Sequence, residues 1–98
     1  MLIKIHDSYR KIVALCDSDL IEKHFEEGIR QMKVTPHFFK GEEKTEEEVF
    51  EILEDMKKED AIFNIVGKQS VSVALRARII KPEGIIHIQG VPVALVLL

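Results

Sequence analysis

A single cysteine, Cys16, is the first scarcity of this 98-residue chain. One thiol forms no internal disulfide, and no CxxC spacing surrounds it to build a metal cluster. It lies in the apolar run Ile12, Val13, Ala14, Leu15, Cys16, where a thiol acts as a small buried hydrophobe. Amides are nearly as rare: Asn64 is the one asparagine, and glutamine occurs at Gln31, Gln69 and Gln89 alone. A surface rich in Lys, Arg and Glu but poor in amides is the pattern of a thermophile. Long hydrophobic runs are also lacking. Lys4, His6 and Asp7 interrupt the opening residues, so no signal peptide is expected. The longest apolar run, residues 91–98, is too short to span a bilayer. A cytoplasmic protein without membrane contact is the expectation.

Positive charge is not in excess. Fourteen Lys and Arg face 17 Asp and Glu, a net charge of −3. Sequence-blind nucleic-acid binders draw most of their affinity from phosphate neutralisation. The global balance therefore argues against that role, while leaving room for a local basic strip at Lys68, Arg76, Arg78 and Lys81.

Catalytic motifs are missing on named residues. The segment Gly67, Lys68, Gln69, Ser70 is no Walker loop: Ile62 stands where the first glycine belongs, and Gln69 where Ser or Thr is required. No histidine pair among His6, His24, His37 and His87 has HExxH or HxH spacing. No GxSxG nucleophile elbow occurs. Asp17, directly after Cys16, raises the thiol pKa and makes it a poorer nucleophile. No metal and no cofactor is expected, and catalysis would need residues that meet only in space.

What is present is one domain over residues 1–98, since this length leaves no room for two. Residues 2–6 alternate as a strand and residues 11–16 form a second, buried strand. The turn signal Asp7, Ser8 makes the two a hairpin. Asp17, Ser18 and Asp19 read as a helix start, with Asp19 and Glu22 at capping-box spacing. Ile21, Phe25 and Ile29 follow at helical spacing, and Gly28 ends the element. Pro36 makes residues 34–40 an edge strand or an irregular extended segment, and residues 41–44 a turn. Thr45 and Glu48 form a capping box with three carboxylates in the first turn. Val49, Ile52, Leu53 and Met56 then run as a helical stripe. Residues 61–66 form a buried strand. Residues 69–80 fit both periods, and their length favours a helix. Residues 85–89 and 91–98 end the chain extended, broken at Gly90. The fold expected is α/β, bordering on α+β, in the order β-β-α-β-α-β-α-β. Its mixed sheet holds an N-terminal hairpin and a C-terminal parallel β-α-β crossover.

Three candidate sites follow. Gly67, Lys68, Gln69 and Ser70 form a strand-to-helix junction, whose free N–H groups and dipole end suit an anion. The alternative there is an ordinary turn in which Gly67 supplies a positive φ. His6 and His87, each in an alternating strand, converge with Asn64 on one cleft if their strands are neighbours; otherwise they are solvent-side residues. The apolar segment with Val91, Val93, Leu95 and Leu97 is either an interior strand or the interface to a second chain.

Several fragments in order carry a resemblance. They are Ala14-Leu15-Cys16-Asp17, Phe38-Phe39-Lys40-Gly41-Glu42, Asn64-Ile65-Val66-Gly67, Ser70-Val71 and Ile88-Gln89-Gly90-Val91-Pro92. The set resembles the DUF424 family of small archaeal proteins. The resemblance covers nearly the whole chain and implies an archaeal, cytoplasmic, single-domain protein; it brings no function. Val93 stands where that pattern often has a polar residue or histidine, and Lys40 alters its aromatic-Gly-Gly step. The leading functional expectation is a non-enzymatic binding or interaction module, with a homodimer as one form. The alternatives are an RNA or ribonucleoprotein contact of the translation apparatus, and a small-molecule enzyme or anion-binding protein using Gly67 to Ser70.

Overall fold

The computed structural model describes residues 1–97; Leu98, the last residue of the apolar terminus, lies outside them. Strands β1 (Leu2–His6) and β2 (Ile12–Cys16) form the expected antiparallel hairpin. A short 3-10 turn, Ser18–Leu20, leads to β3 (His24–Glu27) and β4 (Arg30–Lys33). A one-turn helix α1 (Pro36–Phe39) and a two-residue strand β5 (Glu42–Glu43) precede helix α2 (Glu46–Lys58). Then come β6 (Ile62–Val66), helix α3 (Lys68–Arg76), a 3-10 turn at Pro82–Gly84, β7 (Ile86–Ile88) and β8 (Val91–Val96). Six strands make one mixed sheet in the order β5-β1-β2-β6-β8-β7, and β3 with β4 makes a separate ribbon.

The crossover near the C-terminus takes a particular form. β6 and β7 run in the same direction, but β8 lies between them, antiparallel to both. The adjacent parallel pair is β2 with β6. Residues 69–80 resolve as helix up to Arg76, and the chain leaves the helix through Arg78 at φ +60°.

Two expectations are corrected. The helix expected through Ile21, Phe25 and Ile29 is the β3–β4 hairpin. Gly28 takes φ +63°, and its two-residue turn with Ile29 joins Glu27 to Arg30, the geometry that suits strand twist. Phe25 and Met32 are paired across the ribbon and pack onto the sheet, while Ile29 stands fully in solvent. The extended segment expected around Pro36 is α1. Proline occupies the first helical position, where its missing N–H costs no hydrogen bond.

Alternation along the strands divides the core in two. Ile3, Val13, Leu15, Phe63, Ile65 and Ala94 face α2 and α3. Leu2, Ala14, Cys16, Val66, Ile88 and Val93 face the other way, toward α1 and the β3–β4 ribbon. The capping box holds α2 as the sequence indicates: Glu48 N–H donates to Thr45 Oγ1, and Thr45 N–H donates to Glu48 Oε1.

Candidate functional site

β2 and β6 are parallel, so their C-terminal ends lie together. Cys16 pairs with Val66, and the next residues, Asp17 and Gly67, meet at the start of α3. Asp17 N–H donates to the Val66 carbonyl, which aims the side chain at the helix. Its Oδ2 accepts the Gln69 amide at 3.1 Å, and its Oδ1 accepts the Ser70 amide and the Ser70 hydroxyl, both at 2.8 Å. Gly67 has φ +111°, and a Cβ there would lie 2.4 Å from Asp17 Cγ. Two of the N–H groups that the Gly67–Ser70 junction offers to an anion are therefore taken by the chain's own carboxylate. Asp17, one of three candidate caps for a helix that does not form there, makes no side-chain cap on the 3-10 turn that follows it; its carboxylate holds α3 instead. The relevant signal was an acidic residue directly after one buried strand and a glycine directly after another. As expected, the thiol of Cys16 is pushed up, to about 12, first by burial and next by the Asp17 charge.

His6, Asn64 and His87 do not share a cleft. His6 and Asn64 lie on the face opposite α2 and α3, with β2 between their strands. The His6 ring stacks on Phe38 at 4.7 Å, and its Nε2 lies 2.9 Å from the Phe38 carbonyl. A carbonyl only accepts, so Nε2 carries the proton. His87 pairs with Pro92 on the helix-facing side. There it joins Lys68 and Ser72 along a shallow groove of about 410 Å³ floored by Val71 and Leu75. The basic strip is broken. Arg76 lies over the Phe50 ring at 4.5 Å and bonds Glu47 at 3.2 Å, so its charge is turned onto α2. Among the described residues, no three His, Cys, Asp or Glu side chains come together as a metal site.

The apolar terminus divides. β8 pairs with β7 over Val91–Val93 and with β6 over Val93–Val96, so the two partners overlap at Val93 and the strand is paired on one side beyond it. Val91 and Val93 pack beneath the ribbon. Leu95 and Leu97 are 59% and 68% exposed. Leu95 sits beside Asn64, which in turn pairs with the buried Ala14 of β2. This half of the sheet face, beyond the cover of α1 and the ribbon, also holds Ile12 and Ile62 and has no charged side chain on β2, β6 or β8. Lys4, from β1, turns away to donate to the His37 carbonyl.

The fold and its sites define a single α/β domain with a mixed sheet, α2 and α3 on one face and α1 and the ribbon over part of the other. The chain belongs to the DUF424 family, described as a protein of unknown function, whose model matches residues 5–98. It is similar to a solved structure of an uncharacterized conserved protein from Methanopyrus kandleri. The two share 21% sequence identity over 97% of this chain and 88% of that one, with a TM-score of 0.85; at that identity the likeness establishes the fold. No curated protein matches the chain. Among the described residues, no helix is long and apolar enough to cross a membrane.

Proposed function

We propose that this protein is a non-enzymatic interaction module that binds a protein partner through the open half of its sheet. One observation carries the reading. A sheet face open to solvent is normally polar, and here it holds the half-buried Ile12, Ile62 and Asn64 and the exposed Leu95 without a charge, in a chain that is 32% charged. The scattered histidines and the self-filled Asp17 junction agree with it, since neither assembles a reacting set. The setting that fits is the cytoplasm of an archaeon, as the Methanopyrus relative suggests, and the amide-poor composition fits a thermophile.

The test is an NMR titration of the labelled protein with fractionated lysate of its source organism. Signals of Ile62, Asn64 and Leu95 shift or broaden together, and Leu95→Lys abolishes the change. Perturbation confined to α2 and α3 would refute the reading.

A second reading has one observation behind it. Lys68, Ser72 and His87 share a groove, and none of their side chains has a hydrogen-bond partner among the described residues. That arrangement suits a small anionic molecule with an apolar part. Calorimetry with inorganic phosphate and with a short-chain carboxylate tests it; no heat from either counts against it.

A further inference from the structure

β8 extends past β7. β7 pairs with it over Val91, Pro92 and Val93, whereas β6 pairs with it from Val93 to Val96. The Gly67 N–H donates to the Pro92 carbonyl, which fixes the phase of the ladder. Antiparallel pairs alternate between bonded and unbonded positions, so Pro92, Ala94 and Val96 turn their backbone groups to β6. Leu95 turns its N–H and C=O outward, past the end of β7, and Leu97 follows in the same phase. Among the described residues nothing pairs with the Leu95 groups. The neighbouring chain has withdrawn into a 3-10 turn, with the Gly84 and Ile85 N–H groups donating to Lys81 and Pro82. A groove of about 480 Å³ is left between the β8 edge and the segment from Ile79 to Gly84, with Ile79, Lys81 and Glu83 on its wall.

Exposed edges are normally blocked by charge, proline or shortness. The opposite edge of this sheet is blocked in that way: β5 is two residues long, Glu42 and Glu43. The β8 edge, Ala94 to Leu97, has neither charge nor proline.

We infer that a second copy of this chain pairs here, β8 against β8 and antiparallel, about a two-fold axis at Val96. Leu95 of each copy exchanges both backbone hydrogen bonds with Leu97 of the other, and the two sheets become one. The inference rests on the open half-face being a contact surface. Self-pairing fits the charge pattern: the chain carries −3 overall, yet this strand brings no like charges opposite one another. An isologous contact also closes on itself, which stops the edge from growing into a filament. A stable pair buries roughly 800 Å² per partner. The four edge residues, with the exposed Leu95 and Leu97 among them, fall short of that, so the pair forms in a concentration-dependent way.

Light scattering on the eluting intact protein, over a range of concentrations, measures the mass against the 11.2 kDa chain. Hydrogen exchange of the Leu95 amide is read in the same samples. The expected result is a dimer in which that amide exchanges at least ten-fold more slowly than in the dilute monomer. Leu95→Pro removes the outward donor and weakens the dimer at least ten-fold. If the proline variant does not fold, Leu95→Lys, which keeps the donor but places a charge on the edge, is expected to weaken the dimer as well. A dimer whose Leu95 amide exchanges freely would overturn edge pairing and leave the open face as a contact. A monomer at the highest concentration would overturn self-pairing, and the lysate titration then decides the broader reading alone. Protection of Leu95 only on adding an extended peptide from another protein would also overturn it.

Discussion

Asp17 and Ser70, 53 residues apart in sequence, are joined by two hydrogen bonds of 2.8 Å in a buried position. One carboxylate ties the end of β2 to the start of α3, and so ties the sheet to one of its covering helices. Asp17→Ala leaves the Ser70 hydroxyl and the first α3 amides without a partner. Unpaired buried groups cost about 1–3 kcal/mol each. The expected loss is about 3 kcal/mol, or a Tm lower by more than about 10 °C for a domain this size. Asp17→Asn keeps one accepting oxygen and falls between the two. Thermal and urea unfolding measure both.

Gly67 is tied to the same carboxylate. Gly67→Ala meets two obstacles, the positive φ and a Cβ 2.4 Å from Asp17 Cγ. In the Asp17→Ala background the positive φ remains, worth about 1–3 kcal/mol. A double-mutant cycle should therefore show Gly67→Ala costing less when Asp17 is gone, with a coupling above about 0.5 kcal/mol. Strictly additive losses would contradict the contact.

Elements with a strong period of their own were legible in the sequence: β1, β2, α2, β6 and α3 all lie where alternation, capping or length put them. The β3–β4 ribbon was not. Ile21, Phe25 and Ile29 imitate a helix stripe, and what decides against it is distant. Leu2, Cys16, Val66 and Val93 need a cover, and Gly28 permits the turn that supplies one. The sites were less legible still. The partner of the Gly67–Ser70 junction is Asp17, and the bare edge at Leu95 depends on the register of β8 against β6. Neither is a local pattern.

The ribbon makes its own prediction. Helical spacing would put Phe25 and Ile29 on one buried face, but the hairpin separates them, packing Phe25 on the core and leaving Ile29 fully exposed. Ile29→Lys should change stability by no more than about 0.5 kcal/mol, as surface changes do. Phe25→Ala should cost more than about 1 kcal/mol through lost packing. Equal losses in urea unfolding would contradict the hairpin.

The α2 cap titrates. The Thr45 backbone N–H, then its hydroxyl, holds the Glu48 carboxyl below its ordinary range. A depressed carboxyl stabilises the fold above its unfolded pKa and loses that contribution as pH falls through the folded value. Thr45→Ala should cost about 1 kcal/mol at neutral pH. Glu48→Ala, which removes the titrating carboxyl, should show a deficit relative to wild type that shrinks in acid. Stability curves between pH 7 and pH 3 (roughly the carboxylate range) check the sign.

Cys16 gives the alkaline counterpart. Its side chain is fully buried, and burial, reinforced by Asp17, pushes the thiol from 9.0 up to about 12. Well below pH 9 both folded and unfolded thiols stay protonated, and the residue adds no pH dependence. Above it the unfolded thiol ionises while the folded one does not, so the unfolded state gains and stability falls across the interval up to about 12. Cys16→Ala should flatten that part of the curve, though the smaller side chain lowers stability at neutral pH. The thiolate is the reactive form, so native protein should resist iodoacetamide at pH 8 and react at the rate set by unfolding. Rapid alkylation of the folded chain, with a rate independent of urea below the transition, would show that the thiol is open to solvent and remove the basis for both effects.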